Sequence, residues 1–363
     1  MLRGCLRFVT AGHHEAPVEP HVRVWFLEPT EVRLIKVKLI LSTASTTLAA
    51  LLSLPAFAQP ASTQNYPSKP VRVVVGFPAG GPADTMARMV GKKLSEQNGQ
   101  SVIIENRPGA NSFLAGEYVA RSAPDGYTSW FASGSILSFS KQLYSKPLVD
   151  PDRDFALVVQ AVSVPEVFVI HPSLPVKNMQ ELAQFATRRP AQLNISIITP
   201  GGIIHLGVEQ FKLAAGIKMT NVQYKGAAPA LVDIVGGHIE AALFDAPAII
   251  GYLPSGKLRA LAVASGERIK QMPQVPTTTE AGFPDVRVEG WYGIAVPAST
   301  PPDLIQRMNR QWNAAVRSPD TQALLTGIGA VPVGGSAEEF QAFRTAEGRK
   351  WGDLIRKIGL KLE

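Results

Sequence analysis

One stretch limits the possible folds of this chain more than any other: a strand that runs through glycines into a helix. Val71, Val73, Val74 and Val75 form a short β-branched run suited to a core strand of a parallel sheet. Gly80 and Gly81 follow, where the backbone can turn sharply and approach a ligand closely. Pro82 fits a first helical turn, in which its missing N–H costs nothing. Met86, Met89, Val90 and Leu94 then recur at helical spacing, and Gly99 supplies a stop. Such a joint leaves unpaired N–H groups and a positive dipole end facing outward, an anion-sized socket. An ordinary βα turn is the plainer reading. The phosphate versions fail by spacing, since neither G-x-x-x-x-G-K-[ST] nor G-x-G-x-x-G is present here, and a small carboxylate is the candidate anion.

The design recurs. After an apolar run over 193–198 come Thr199, Pro200, Gly201 and Gly202, then a helical pattern over 203–214. Two such sockets facing each other would grip one anion from both sides. Between and beyond them β and α patterns alternate, the signature of an α/β protein. A third strand over 127–132 ends in Ser133-Gly134-Ser135, read as a small-residue loop at the same cleft, because ligands of open α/β sheets sit beyond the carboxyl ends of the strands. Residues 147–154 read as a loop. Separate strands over 155–162 and 167–171 lead into a second lobe, and a strand over 286–297, with Trp291 and Tyr292, returns to the first. The C-terminal part is helical over 301–317, 320–326 and 337–358. The expected lobes are 66–165 with 287–363, and 166–286.

Upstream, residues 32–58 read as a cleavable secretory signal. Arg33, Lys36 and Lys38 precede an apolar stretch over 39–54, and Ala56-Phe57-Ala58 is an A-x-A site. The alternative, a membrane anchor, suits this short Ser/Thr-rich stretch less well. Residues 1–31 precede the signal without clear periodicity, and the expectation is that translation starts near Val32. The single cysteine, Cys5, lies before the cleavage site. The exported chain would therefore hold no disulfide, thiolate metal site or lipid anchor, as in a periplasmic protein. With 363 residues and a 45% hydrophobic share, the chain can build one large or two medium cores. Its net charge of +7 is scattered, with no basic block interleaved with aromatics, so nucleic acid is a poor partner.

Few side chains suggest chemistry. His205 and Glu209 are spaced i,i+4, but no third ligand or H-E-x-x-H accompanies them, so His205 reads as structural or cleft-lining and no metal is expected. Ser133 and Ser135 lack a G-x-S-x-G elbow. Asp245 ends a strand as a partner for a ligand amine or water, or as an N-cap for a helix starting near Ala246. Asp84 reads as a cap and dipole partner.

Several blocks together resemble one family: Tyr66-Pro67-Ser68-Lys69-Pro70, Phe77-Pro78-Ala79-Gly80-Gly81, Glu105-Asn106-Arg107-Pro108-Gly109-Ala110, Ala123-Pro124-Asp125-Gly126-Tyr127-Thr128, Tyr224-Lys225-Gly226-Ala227-Ala228-Pro229 and Trp291-Tyr292-Gly293. Their kinds and order resemble the tripartite tricarboxylate transporter substrate-binding proteins, the Bug receptors, from about Tyr66 to the C-terminus. The resemblance implies a type II periplasmic binding protein, with two α/β lobes joined by crossing strands and a ligand cleft between. It implies a small di- or tricarboxylate, amino acid or aromatic acid as ligand, no cofactor, a monomer, and transient membrane transporter subunits as partners. The family's ligand-holding loops carry over to Phe77, Pro78, Ala79, Gly80 and Gly81, and to Thr199, Gly201 and Gly202. Gly202 stands where the family usually has Ser or Thr, and Pro200 two residues earlier where Asn or Gly is common. With Ile203 and Ile204 following, that implies a drier wall and a less charged or partly aromatic acid. A solute receptor for transport is the expected function. A sensor on the same scaffold and an exported enzyme acting on a carboxylate are the alternatives.

Overall fold

The computed structural model describes residues 66–362; the expected signal segment and the stretch before it lie outside them. In the first lobe, β1 (Val71–Val75) lies between β2 (Val102–Asn106) and β3 (Thr128–Ser133), parallel to both. In the second, β5 (Asn194–Ile198) lies between β6 (Thr220–Tyr224) and β7 (Ala241–Asp245), again parallel to both. Each trio is closed by an antiparallel neighbour: β9 (Glu289–Pro297) beside β3, and β4 (Phe155–Ile170) beside β7. The order along the sheets is β2-β1-β3-β9-β4-β7-β5-β6.

β4 joins the lobes. Residues 155–165 pair with β9, and from Glu166 onward the strand pairs with β7 and with β8 (Arg259–Val263). The two strands expected on either side of Pro165 are thus one strand of 16 residues. Its proline sits where the chain changes sheets, a place where a missing ladder donor is tolerated. At the same level Glu166 N–H reaches Val288 O and Ala264 N–H reaches Glu166 O, so a second segment passes beside the crossing.

Helices cover the sheets. α1 (Pro82–Asn98) follows β1, with Pro82 in its first turn and Gly99 in the left-handed region (φ +66°) as its stop, as the sequence predicts. α2 (Phe113–Ala120) precedes β3. α3 (Gly134–Leu143) begins directly after it, so the expected loop at 133–135 is instead a helix start. Gly134 is required there, because a Cβ would lie 2.4 Å from the Trp291 ring. The expected loop over 147–154 likewise ends in a helical turn, α4 (Pro151–Asp154). In the second lobe follow α5 (Met179–Arg188), α6 (Ile203–Ala215), α7 (Ala227–Val235) and the short α8 (Ala246–Ile249). After β9 come α9 (Pro302–Val316), α10 (Pro319–Gly327), β10 (Val331–Pro332) and α11 (Ala337–Ile358). Trp351, Leu354 and Ile355 of α11 pack with Phe139 and Leu143 of α3 into the core of the second lobe. Among the described residues no helix is long and apolar enough to cross a membrane.

Candidate functional site

Both glycine turns follow the middle strand of a parallel trio, where successive connections leave in opposite directions and a crevice opens. The two turns share one hydrogen-bond plan. After β1, Gly81 N–H reaches back to Pro78 O (3.4 Å) and Gly80 N–H donates to Asp84 Oδ2 (2.9 Å). After β5, Gly202 N–H reaches back to Thr199 O (2.8 Å) and Gly201 N–H donates to His205 Nδ1 (3.0 Å). In each, the side chain four residues on braces the first glycine, and both of these glycines have positive φ, +78° and +76°.

The braces differ in chemistry. Asp84 is buried and also accepts from Arg88 Nε (3.0 Å) and Asn106 Nδ2 (2.9 Å). Burial alone would raise its carboxyl, but the hydrogen bonds from Arg88, Gly80 and Asn106 outweigh burial and hold it below the usual carboxylate range. His205 is buried too, and burial holds its imidazole below its usual value, with Glu209 pulling the other way. Neutral, it offers Nδ1 as an acceptor; its Nε2 stands 3.7 Å from Glu209 Oε1.

The glycine N–H groups are therefore already taken. What remains is the first turn of each helix, where N–H groups have no intrahelical acceptor. Among the described residues nothing accepts from Ala83 or Asp84 in α1, or from Ile204 or His205 in α6. Ala83 and Ile204 both line a single cavity of about 520 Å³ between the lobes.

Of the residues singled out in the sequence, Phe77, Pro78, Ala79, Gly80, Gly81, Ser133, Ser135, Thr199, Gly201, Gly202 and Asp245 all line that cavity. His205 does not: it stands behind the second turn and braces it. Ser135 Oγ accepts from Ile203 N–H (3.1 Å), and so joins the start of α3 in one lobe to the start of α6 in the other. Asp245 precedes α8, but its side chain caps nothing. Among the described residues no group of three or more His, Cys, Asp or Glu side chains is placed to hold a metal ion.

Sequence reasoning passed over several contributors. Asn111, in the left-handed region (φ +53°), donates to Pro200 O across the lobes at 3.2 Å. Tyr292 lines the cavity, stacked on Phe131 (centroids 5.1 Å) and edge-on to Phe77 (6.0 Å). Glu166, completely buried at the crossing, lies beside Asp245. A lone acid inside the apolar run over 155–170 was its only signal.

Comparison with known proteins shows the family and the fold. A family model described as "Tripartite tricarboxylate transporter family receptor" matches residues 86–360. The protein BugT of Bordetella pertussis is 33% identical over 311 residues, which is 84% of this chain and 94% of that protein. A Rhodopseudomonas palustris protein solved with adipate superposes with a TM-score of 0.78 at 33% identity, covering 82% of this chain and all of its own. A second protein from that organism, MatC, solved with bound malate, gives a TM-score of 0.74 at 28% identity, covering 80% of this chain and all of its own.

Proposed function

The chain belongs to the tripartite tricarboxylate transporter receptor family, and we propose that it is a periplasmic receptor that captures a small carboxylate by main-chain N–H groups and hands it to membrane transporter subunits. One observation carries the reading: Ala83 in the first turn of α1 and Ile204 in the first turn of α6, in different lobes, have N–H groups without an acceptor and line one cavity. N–H groups at a helix start, with the dipole behind them, suit a carboxylate. Charge-assisted hydrogen bonds contribute about 1.5–3 kcal/mol each. A few of them, less the cost of association, leave a dissociation constant on the order of micromolar. Relatives solved with adipate and malate support ligands of this size and charge.

The turns shape the socket rather than fill it. Glycines at φ near +77° bring each helix start to the cavity edge, and the braces on Gly80 and Gly201 keep it there. The hydrogen bonds from Ile203 to Ser135 and from Asn111 to Pro200 tie the lobes together around the ligand space. An exported chain that begins after residue 58 places the receptor in the compartment where such a transporter collects its solute.

Calorimetry with a panel of small carboxylates tests the proposal, together with mass spectrometry of acids released from gently purified, denatured protein. Binding without turnover is expected. Conversion of a carboxylate to product, or no binding across the panel, would overturn it.

A further inference from the structure

The floor of the cavity carries acid that no basic side chain answers. Asp245, at the end of β7, lines the cavity and caps no helix. β5 and β7 run parallel, and Asp245 lines the same cavity as Thr199 and the second socket. Glu166 is its partner across β4 and β7. Glu166 is 0% exposed, and its carboxyl has close polar neighbours only in the Asp245 carboxyl and the Gly290 N–H, neither in good hydrogen-bond geometry. Gly290 lines the cavity just above: a Cβ there would lie 2.9 Å from Glu166 Oε1, so the bare glycine lets this carboxyl sit directly under the cavity surface. Glu289 also lines the cavity, but its oxygens are engaged by Ser163 Oγ (3.1 Å) and Gly266 N–H (3.3 Å). Lys225, exposed at the rim, is the only basic side chain among the lining residues.

A fully buried acid beside a second acid is costly, and a native fold keeps it where it has a use. Burial first, then the neighbouring Asp245, hold the Glu166 carboxyl well above the usual range, and burial raises Asp245 as well. Two adjacent carboxyls that share one proton keep a negative charge, and a plain dianion that reached this floor would meet like charge. A protonated nitrogen would bring several donors to them.

We infer that the ligand is bipolar: its carboxylate sits at the starts of α1 and α6, and a protonated nitrogen at its other end sits on the floor formed by Asp245 and Glu166. This rests on the receptor reading above and narrows its substrate class to amino-bearing acids. Asp245 is then the residue that sets the preference, touching the nitrogen directly, and Glu166 the group that supports it from beneath.

Matched ligands test it. Calorimetry near neutral pH compares adipate with 6-aminohexanoate and glutarate with 5-aminopentanoate, pairs that differ only in the group at one end. In each pair the amino acid is expected to bind more tightly by at least about tenfold, the worth of one charge-assisted hydrogen bond. Asp245→Asn is expected to remove most of that preference. Glu166→Gln gives the same reading if the first variant does not fold. Equal affinities, or tighter binding of the dicarboxylate, would overturn the inference and leave the receptor reading standing, as would a preference that survives both substitutions. No binding of any carboxylate would overturn both.

Discussion

After β1, Gly80 gives its N–H to a carboxylate; after β5, Gly201 gives its N–H to an imidazole, in each case from the residue four positions on. The hydrogen-bond plan is the same in both lobes, while the bracing side chain differs, as does the residue that opens the turn, Pro78 in one and Thr199 at φ +60° in the other. Asp84 brings a charge that Arg88 and Asn106 share. His205 brings a neutral acceptor that has to stay unprotonated to serve. The difference teaches that a socket of this kind is defined by its backbone, while its tolerance of acid and of mutation is set by one side chain behind it.

The largest expected effect is at the first brace. Asp84→Ala removes a charged acceptor from the Gly80 N–H and from Asn106 Nδ2, which keeps only Phe77 O (3.1 Å), and should lower the unfolding free energy by about 3 kcal/mol. Arg88 is half exposed and adds little to that figure. Urea denaturation gives the number, and a loss below that of the corresponding His205 variant would break the ranking of the two braces.

His205→Ala should cost about 2 kcal/mol, because it strands one N–H and no ion pair. Acid separates the two turns without mutation. His205 has its pKa lowered by burial, so its contribution is complete above the ordinary value of 6.5 and is lost as pH falls through the lower folded value. Asp84 is also lowered, so its contribution is complete above 3.8 and is lost only as pH falls through its own lower value. Amide exchange followed by NMR on a descending pH series should find Gly201 deprotected while Gly80 is still protected. Simultaneous loss, or Gly80 first, would contradict the assignment of the braces.

Alanine at the two positive-φ glycines sharpens the contrast further. The backbone strain is the same at both, about 1 kcal/mol. At Gly80 an added Cβ meets nothing within 4 Å, whereas at Gly201 it falls 2.5 Å from Leu362 Cδ1. Gly201→Ala should therefore cost more, about 2 kcal/mol in all, read as a difference in denaturation midpoint. The smallest effect is expected at Ser135→Ala, which removes the acceptor for Ile203 N–H between the lobes. About 1 kcal/mol or less should appear, as weaker ligand binding with little change in stability.

Much of the plan was legible in the sequence because it is local. The β-branched run at 71–75, the glycines at 80–81 and the stop at Gly99 each act within a few residues, and the second turn repeats them. What escaped depends on distant partners. Pro165 reads as a strand break until β9 is seen pairing with β4 on one side of it and β7 on the other. Gly134 reads as a loop residue until Trp291 is found packed against it. His205 reads as structural or cleft-lining, since its spacing places it near the turn but does not say whether its Nδ1 faces the Gly201 N–H or the cavity. The sequence points to acceptor-free N–H groups at the glycines, and they are found two residues beyond, at Ala83 and Ile204, because the braces and turns take the glycine donors.

Backbone 15N–1H shifts recorded on titrating a binding carboxylate into the protein test the central claim most directly. The largest downfield changes are expected at the first-turn amides Ala83 and Ile204, in both lobes at the same ligand concentration. Saturable binding that leaves those two amides unmoved while shifting others would contradict the claim that the paired helix starts hold the anion.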